Sequence, residues 1–340
     1  MAKVLVTGGL GYIGSHTVVS LIEAGHTPVI IDNLSNSDEA VIQRLKALTS
    51  AEIVFQRVEM CHKSELEAIF TKHQDIDGVI HFAAWLQVPE SVAEPSKYYY
   101  NNIVSTINLI DLCVQYDVRN IVFSSSCTVY GQPDEIPVSE DAPIKEAESP
   151  YGSTKIIGEQ MLKDAVRAYG LNVLSLRYFN PIGAHSSALI GEVQRGVPHH
   201  LVPYITETAM GKREKLRVFG GDYETRDGTC VRDYIHVMDI AGAHVKALEK
   251  LLSESDKSFD AINLGSGEGQ TVLEMIQAFE RTTGQKVAYD IVDRRSGDVE
   301  KVYANISKAK SVLKWTPKYT LDDMLLSAWK WQESEDQSTV

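Results

Sequence analysis

The residues with the clearest chemical potential are a tyrosine and a lysine four positions apart, Tyr151 and Lys155. Residues at positions i and i+4 project from the same face of a helix, and Ser149 with Pro150 is typical of a helix start. A free tyrosine has a pKa of about 10, so it is a poor base near neutral pH. A neighbouring ammonium favours the phenolate and lowers that pKa. We therefore predict that the pair exchanges a proton with a substrate hydroxyl.

A tyrosine and a lysine at this spacing also occur by chance on surface helices, so the pair needs supporting context. Part of that context is a run of hydroxyl side chains at the end of a predicted strand, Phe-Ser-Ser-Ser-Cys-Thr-Val-Tyr-Gly, which begins at Phe123. Ser126 or Thr128 could hydrogen-bond the reacting hydroxyl and pass on its proton. The alternative is that these side chains only cap the turn after the strand.

Further context comes from a glycine motif directly after the first predicted strand. Gly8, Gly11 and Gly14 form the pattern G-x-x-G-x-x-G, followed by a helix that begins near Tyr12. The glycines permit a tight turn and a close approach of the backbone to a pyrophosphate, and the helix N-terminus attracts the phosphates. The motif predicts a dinucleotide site, whereas a turn without a ligand is the alternative.

The cofactor is predicted to be NAD rather than NADP, because of Asp32 at the end of the second predicted strand. A carboxylate at this position can accept hydrogen bonds from the ribose hydroxyls and repels an additional phosphate. No arginine or lysine follows directly, since the run continues Asn-Leu-Ser-Asn. A plain turn or cap residue is the alternative interpretation of Asp32. A bound cationic nicotinamide would further favour the Tyr151 phenolate.

The elements that must position these residues alternate regularly between strand and helix up to Asn180. The predicted strands are Lys3–Thr7, Val29–Asp32, Ile53–Val58, Gly78–Phe82, Asn120–Ser124 and Val173–Tyr178. The predicted helices are Tyr12–Ala24, Ser37–Leu48, Ser64–Lys72, Lys97–Tyr116 and Tyr151–Tyr169. This alternation predicts an α/β fold with a Rossmann-type, doubly wound parallel sheet.

The regular alternation of strands and helices ends after Asn180, and we predict a smaller, mixed α/β substrate lobe from there on. Its predicted helices are His200–Gly211, Val237–Leu252, Thr271–Thr283, Ser307–Leu313 and Leu321–Gln332. Its predicted strands are Leu216–Phe219, Ala261–Leu264 and Val287–Ile291, with an active-site loop over Pro181–Val197 and a frayed tail over Ser334–Val340. The expected domains are therefore 1–180 for NAD and 181–340 for the substrate, with some later segments returning to the first lobe.

The composition limits the possible binding partners and the cellular compartment of the protein. The formal net charge of -13 over 340 residues disfavours nucleic acid and anionic membranes, which both require a basic face. The longest apolar stretches are too short to span a membrane, and the N-terminus lacks a signal-peptide pattern. Four scattered cysteines without a CxxC pair indicate free thiols in a reducing compartment. We therefore expect a cytoplasmic protein.

The motifs together resemble the UDP-glucose 4-epimerase family of extended short-chain dehydrogenases. They are TGGxGYIGSH, DN after strand two, HFAA, SSSxTVYG, SPYGxxK, LRYFNPIGAH, GTCVRDYIHVMD and NLGSGxGxxVLE, from about Lys3 to Trp331. The resemblance implies that Tyr151 takes the proton of the sugar 4-hydroxyl while a C4 hydride passes to NAD. The 4-keto sugar turns over and the hydride returns to its other face. Lys155 contacts the nicotinamide ribose, and Ser126 assists proton transfer.

The resemblance also defines the site residues. The candidate cofactor-binding residues are Gly8, Gly11, Tyr12, Ile13, Gly14, Asp32, Asn33, Asn36, Ser37, Glu59, Met60, Phe82, Ala83, Ala84, Asn101, Ser124, Tyr151, Lys155 and Tyr178. The candidate substrate-binding residues are Ser126, Tyr151, Phe179, Asn180, His200, Leu201, Arg217, Phe219, Arg232, Arg295, Asp298 and Val302. Arginine forks suit a diphosphate, although Arg295 could also be a surface charge. The resemblance further implies a homodimer built on a four-helix bundle.

Several positions depart from the family pattern. Val58-Glu59 replaces a usual Gly-Asp near the adenine, and Leu86 stands where many members carry a lysine near the nicotinamide. His200 replaces an asparagine near the uridine. The adjacent pair of His199 and His200 has no third ligand at suitable spacing, so no metal is predicted. These changes leave open which substrate is used and how tightly NAD is bound.

Substrate width depends on Val302, which occupies a position that is a bulky tyrosine in family members of narrow specificity. A smaller side chain leaves room beside the sugar C2, so the N-acetylhexosamine pair of UDP-sugars is expected to be accepted as well.

Two other functions stay open. A sugar-nucleotide 4,6-dehydratase would need an Asp-Glu pair where this chain has Cys127-Thr128. A non-catalytic NAD-binding protein would not need Tyr151 and Lys155.

Overall fold

The computed structural model of the chain describes residues 1–193, 196, 198, 200–254, 257–295 and 298–338. Its strands are β1 (Lys3–Thr7), β2 (Thr27–Asp32), β3 (Val54–Arg57), β4 (Gly78–His81), β5 (Asn120–Ser126), β6 (Asn172–Tyr178), β7 (Asn180–Ile182), β8 (Leu216–Phe219), β9 (Val231–His236), β10 (Phe259–Leu264), β11 (Gly269–Thr271), β12 (Tyr289–Val292) and β13 (Lys301–Val302). Its α-helices are α1 (Tyr12–Glu23), α2 (Ala40–Thr49), α3 (Lys63–Lys72), α4 (Val88–Ala93), α5 (Pro95–Gln115), α6 (Pro150–Tyr169), α7 (Leu201–Ala209), α8 (Val237–Ser253), α9 (Val272–Thr283), α10 (Ser307–Val312) and α11 (Leu321–Ser338).

The central element is a seven-stranded sheet in the order β3-β2-β1-β4-β5-β6-β10. Every neighbouring pair in it is parallel, so the predicted doubly wound parallel sheet is confirmed. The strand β10 comes from beyond residue 181 but lies at the edge of this sheet beside β6. From β1 the chain adds β2 and β3 on one side of the sheet and then β4, β5 and β6 on the other. Open α/β sheets bind their ligands at such a reversal of strand order, beyond the carboxyl ends of the strands.

Helices cover both faces of this sheet, as the apolar strand sequences require. Successive strand residues point to opposite faces: Val4 and Val6 lie in one buried cluster, and Leu5 lies in the other. Side chains of α1 and α8 join the first cluster, and those of α3, α5 and α6 join the second. The two layers leave the carboxyl ends of the strands open toward the second lobe.

The second lobe is built around β9, which pairs with β7 and β13 in parallel and with β11 in antiparallel orientation. A separate parallel pair joins β8 and β12. The helices α7, α9 and α11 enclose a third apolar cluster, in which the rings of Phe279 and Trp329 meet edge to face at 5.6 Å. This cluster supports β8 and β9, the strands that carry Arg217 and Arg232.

Four strands were missed by the sequence prediction, namely β7, β9, β11 and β13. β7 includes the start of the predicted loop Pro181–Val197, of which residues 194, 195 and 197 lie outside the described residues. The predicted frayed tail is also wrong as far as Ser338, since α11 continues to that residue, and residues 339–340 lie outside the description. Among the described residues, no helix is sufficiently long and apolar to cross a membrane.

Candidate active site

A cavity of about 1380 Å³ lies where the carboxyl ends of the central strands face the second lobe. Its wall includes residues at the ends of β1, β2, β4, β5 and β6, and residues of α7 and β8 from the second lobe. Cavities that hold one drug-sized ligand measure about 300–1,000 Å³. This cavity therefore has room for a dinucleotide and a second ligand side by side.

The glycine turn between β1 and α1 forms one end of the cavity and is closely packed. Gly8 has a φ of +66°, and a Cβ built on it would lie 2.8 Å from the Ala83 nitrogen. A Cβ on Gly14 would lie 2.3 Å from the carbonyl oxygen of Gly8. Gly11 is the N-cap of α1, whose first amides have no acceptor within the helix. The turn therefore fits a pyrophosphate, which needs bare backbone and a helix N-terminus.

The carboxylate of Asp32 is held rigidly on the cavity wall. One oxygen accepts hydrogen bonds from the Leu34 amide at 2.9 Å and the Ser37 hydroxyl at 2.7 Å, and the other accepts from the Leu10 amide at 3.2 Å. The two oxygens of a carboxylate offer about four acceptor sites, and these bonds occupy three of them. Asp32 can therefore accept from a ribose hydroxyl while remaining fixed, as expected for an NAD site.

The unusual Glu59 also lies on this wall, together with Val58 and Met60. Its carboxylate accepts hydrogen bonds from the Asn33 side chain at 2.8 Å and from the Cys61 amide at 3.1 Å. The carboxylate is thus fixed between the loop after β2 and its own loop after β3.

Tyr151 and Lys155 lie in the first turns of α6 and line the cavity beside Ser126. Ser149 caps the helix by accepting the Gly152 amide at 3.2 Å. The Lys155 ammonium donates to the Ser124 carbonyl at 2.8 Å and lies 5.7 Å from the centre of the Tyr151 ring. The helix start, the tyrosine, the lysine and the strand-end serine are therefore brought together as the sequence predicts.

The protonation of this pair differs from the sequence expectation. Burial raises the pKa of Tyr151 to about 12, although a hydrogen bond with Ser126 opposes the shift. Burial likewise lowers the pKa of Lys155 to about 8, while the charge of Glu159 opposes that shift. The predicted lowering of the tyrosine pKa by the lysine is therefore wrong for the protein alone, where burial dominates and the ammonium donates to the Ser124 carbonyl. A cationic ligand ring would act in the opposite direction.

Both alternatives for the strand-end hydroxyls have support. Ser126 accepts the Thr128 amide at 3.2 Å, so it does cap the turn, and it also lies on the cavity wall near Tyr151. The Thr128 hydroxyl is buried and has no hydrogen-bond partner within the described structure. Thr128 is among the residues that line the same cavity, but its hydroxyl has almost no accessible surface there.

The wall next to the glycine turn is mainly aromatic and apolar. It includes the cofactor candidates Phe82, Ala83, Ala84, Asn101 and Tyr178. The Tyr178 hydroxyl lies 2.6 Å from the Nε2 atom of His244, and the Phe82 and His244 rings are 4.6 Å apart. Leu86 is 42% exposed on this wall. The nearby Lys97 does not replace the lysine of the family pattern, because its ammonium stacks on the Trp85 ring at 3.9 Å.

The second lobe contributes an arginine cluster around one carboxylate, Asp298. The Arg295 guanidinium donates to it at 2.7 and 3.2 Å, and Arg232 lies 3.9 Å away. The Phe219 ring lies 5.4 Å from the Arg295 guanidinium and 5.2 Å from that of Arg217. The candidates Phe179, Asn180, His200 and Leu201 line the cavity with them. Fixed guanidinium forks next to an aromatic ring suit a nucleoside diphosphate.

Two substrate candidates lie differently from their expected surroundings. Val302 is 8% exposed and is not among the lining residues; it belongs to a buried apolar cluster that includes Phe179, which does line the cavity. His200 forms a 2.8 Å contact with Glu192. Burial lowers the pKa of His200, but the charge and hydrogen bond of Glu192 outweigh this and raise it.

Other cavity residues were not found from the sequence, because no local pattern marks them. The Trp331 indole donates to the Glu192 carbonyl at 3.0 Å, and the Arg44 guanidinium lies 5.1 Å from the Trp331 ring. These contacts join α2 of the first lobe to α11 across the cavity mouth. His199 lies outside the described residues. Within the described ranges, no three potential ligands are grouped so that they could hold a metal ion.

Comparison with known proteins first gives the broad class. The chain matches the family described as GDP-mannose 4,6 dehydratase over residues 5–327. It is 48% identical to the UDP-glucose 4-epimerase of Bacillus subtilis over 332 residues, which cover 97% of each chain. It is also 48% identical to the Dictyostelium discoideum UDP-glucose 4-epimerase, over 97% of this chain and 95% of that one. The chain therefore belongs to the UDP-glucose 4-epimerase family.

Solved structures agree with this assignment. A Stenotrophomonas maltophila UDP-glucose 4-epimerase with bound NAD and formylated UDP-arabinopyranose matches with a TM-score of 0.96 and 45% identity, over 99% of this chain and 100% of that one. The Bifidobacterium longum UDP-glucose 4-epimerase in complex with NAD⁺ and UDP matches with a TM-score of 0.93 and 40% identity, over 98% and 99%. The dehydratase alternative loses support, because the site has Cys127 and Thr128 where that chemistry needs carboxylic acids.

Proposed function

We propose that the chain is an NAD-dependent isomerase that inverts C4 of a UDP-hexose and thereby interconverts UDP-galactose and UDP-glucose. The observation that carries this proposal is the placement of Tyr151, Lys155 and Ser126 together in one cavity with the glycine turn. Relatives at 48% identity are UDP-glucose 4-epimerases, and the similar structures contain NAD with UDP or a UDP-sugar.

The residues present fit NAD. The glycine turn and the α1 N-terminus would hold the pyrophosphate, and Asp32 would hold the adenosine ribose. Glu59 offers its carboxylate near the adenine, and Lys155 is placed to reach the nicotinamide ribose. Bound NAD supplies an acceptor for the C4 hydride and a donor that returns it to the opposite face.

The chain itself handles the proton and holds the substrate. The Tyr151 phenolate takes the proton of the 4-hydroxyl and later gives it back to the inverted hydroxyl. Ser126 orients that hydroxyl. Burial opposes ionisation of Tyr151 in the protein alone, and a cationic nicotinamide ring bound beside it, together with the Lys155 ammonium, would favour the phenolate. Arg232 and Arg295 would bind the diphosphate at the other end of the cavity. This end anchors the substrate while the sugar end turns over, so both faces of C4 can be presented.

The proposal is tested by incubating the purified protein with UDP-galactose or UDP-glucose and resolving the products by NMR. Each sugar is expected to give the same equilibrium mixture of the two. A dehydratase would accumulate a 4-keto-6-deoxy sugar, and a non-catalytic NAD-binding protein would leave both substrates unchanged. Either of these two outcomes would contradict the proposal.

We further propose that the UDP-N-acetylhexosamine pair is also a substrate. Val302 packs in the cluster behind Phe179, and its small volume would let this wall yield to an N-acetyl group at C2. The change Val302→Tyr should lower kcat/KM for the N-acetyl pair by roughly 10-fold or more, with a much smaller effect on the hexose pair, since pocket volume discriminates by about 1–3 kcal/mol.

The control for this prediction is Val302→Ala, which keeps the space and should keep both activities. Because a tyrosine at this buried position could disturb packing, thermal unfolding of each variant is measured alongside. Turnover of the hexose pair by the wild-type protein with none of the N-acetyl pair would contradict the prediction.

We also propose that the protein is a cytoplasmic homodimer. Support for dimerisation comes from apolar side chains on the outer faces of two adjacent helices. Tyr100 and Ile107 on α5 are 61% and 43% exposed, and Ile157 on α6 is 36% exposed. Pairing these faces across a two-fold axis would form a four-helix bundle. Light scattering should give a molar mass of twice the 37.7 kDa of one chain, and the change Ile107→Glu should lower the measured mass to that of one chain. A wild-type monomer would contradict this.

A further inference from the structure

The end of β5 contacts α6 at a third point beyond Tyr151 and Lys155. Glu159 lies four residues after Lys155 and therefore on the same helix face. Its carboxylate accepts a hydrogen bond from the Ser125 hydroxyl at 2.7 Å, next to the Ser124 carbonyl that accepts from Lys155. Consecutive serines of β5 thus bind consecutive turns of α6. Glu159 is not among the cavity-lining residues.

The same carboxylate also connects α6 to the next strand. It accepts from the Ser175 hydroxyl at 2.9 Å and from Arg177 at 2.9 and 2.7 Å, all on β6. Glu159 is 1% exposed, and Arg177 and Ser175 are also buried, at 3% and 0%. A buried ion pair with complete hydrogen bonding costs desolvation and seldom adds net stability. What it provides here is geometric: one fixed point between a helix and two strands.

We propose that Glu159 is a positioning residue that fixes α6 against β5 and so places Tyr151 and Lys155 for catalysis. This inference rests on the proposed function. A rigid anchor is needed because a displacement of about 1 Å at a reacting group can lower the rate by about 100-fold. The helix start, where Tyr151 lies, is held by the Ser149 cap and by the Lys155 bond to the Ser124 carbonyl. The Asn102 side-chain amide adds a bond to the Thr154 hydroxyl at 3.0 Å, and Glu159 fixes the following turn against both strands.

The electrostatic surroundings supply a readout that separates positioning from general stability. Facing Lys155 are Tyr151 and Glu159 on its own helix and His81 on β4. On β6, Tyr178 interacts with Tyr151 and Arg177 is paired with Glu159. Burial lowers the pKa of Lys155 to about 8, and Glu159 opposes this. The ammonium is present below that pKa and is lost above it. Without the Glu159 charge, the alkaline fall of kcat should therefore begin at lower pH.

The test compares three variants of the full-length protein, Glu159→Gln, Ser125→Ala and Ser175→Ala, using UDP-galactose. The two serine variants are matched, because each removes one hydroxyl from the same carboxylate oxygen. Only Ser125 lies on β5 beside the catalytic serine. Ser125→Ala should lower kcat several-fold more than Ser175→Ala at equal loss of Tm. Glu159→Gln should lower kcat roughly 10- to 100-fold with little change in KM and shift the alkaline limb downward.

The outcome that overturns the inference is a Ser125→Ala variant with no greater loss of kcat than Ser175→Ala. Should Glu159→Gln fold, a wild-type kcat and pH profile in that variant would overturn it as well. If Glu159→Gln does not fold, the comparison of kcat between Ser125→Ala and Ser175→Ala still tests the inference. Turnover by the wild-type protein is measured first, so insensitive variants of an active enzyme contradict this inference alone and leave the proposed function standing.

Discussion

Replacing Tyr151 by phenylalanine is expected to lower kcat for UDP-galactose by roughly 10²- to 10⁴-fold, the usual contribution of a positioned acid–base group. The phenyl ring fills the same space, so the fold and the NAD site should be retained. Only the hydroxyl that carries the proton is lost. The loss should appear in kcat rather than in KM, because the group acts on the reacting hydroxyl and not on the UDP anchor.

The matched control is Tyr169→Phe at the other end of α6, where the side chain is 50% exposed and outside the cavity. It should leave kcat, KM and bound NAD unchanged. Measurement of turnover by NMR and of bound NAD by absorbance after denaturation gives both quantities. A Tyr151→Phe variant that retains NAD and epimerises at the wild-type rate would show that another group moves the proton.

Introducing a single methyl group at Gly14 should have the second large effect. The Cβ of Gly14→Ala would lie 2.3 Å from the Gly8 carbonyl oxygen and 2.8 Å from the Gly9 Cα. Both contacts are with backbone, so the glycine turn must move. Overpacking of this kind costs about 1–3 kcal/mol of stability. Because the displaced turn is the proposed pyrophosphate site, bound NAD should be lost as well.

Gly242→Ala in α8 is the matched control, since both glycines lie within helices. A Cβ on Gly242 would meet no atom within 4 Å beyond its own helix. The change should therefore leave NAD binding intact and raise stability by up to about 1 kcal/mol through helix propensity. Thermal unfolding and NAD content measured on both variants test the pair. A Gly14→Ala protein with wild-type Tm and full NAD would contradict the close packing of the turn.

Motifs with fixed local spacing predicted much of the site from the sequence. The glycine turn, Asp32 and the Tyr151–Lys155 pair are each defined by a few adjacent residues and by the strand or helix that carries them. The parallel sheet followed from the same local alternation. Since strand ends meet at one edge of such a sheet, the approach of Ser126 to Tyr151 followed from topology as well.

Short strands could not be predicted in the same way. β7, β11 and β13 contain three, three and two residues, too few for any periodicity to appear. β9 is longer, but its sequence Val-Arg-Asp-Tyr-Ile-His places charges inside the strand. Asp233 is tolerated there because it accepts the Ser266, Gly267 and Ala304 amides. Those partners lie far away in the sequence, so tertiary structure decides the strand.

Contacts between distant segments explain the other differences. Nothing local indicates that Glu192 lies against His200, or that Arg44 stacks on Trp331 across the cavity mouth. The pKa of Tyr151 shows the same limit, because burial depends on the whole surrounding structure. The sequence indicated the charge beside Tyr151 but gave no measure of how completely water is excluded.

The measurement that tests the central claim most directly is epimerisation of UDP-galactose in D₂O followed by ¹H NMR. If the hydrogen at C4 leaves as a hydride, is held inside the protein and returns to the other face, the UDP-glucose formed should retain C4–H in full. Only the exchangeable hydroxyl hydrogens should be replaced. Deuterium at C4 of the product would contradict the account, as would the absence of any UDP-glucose.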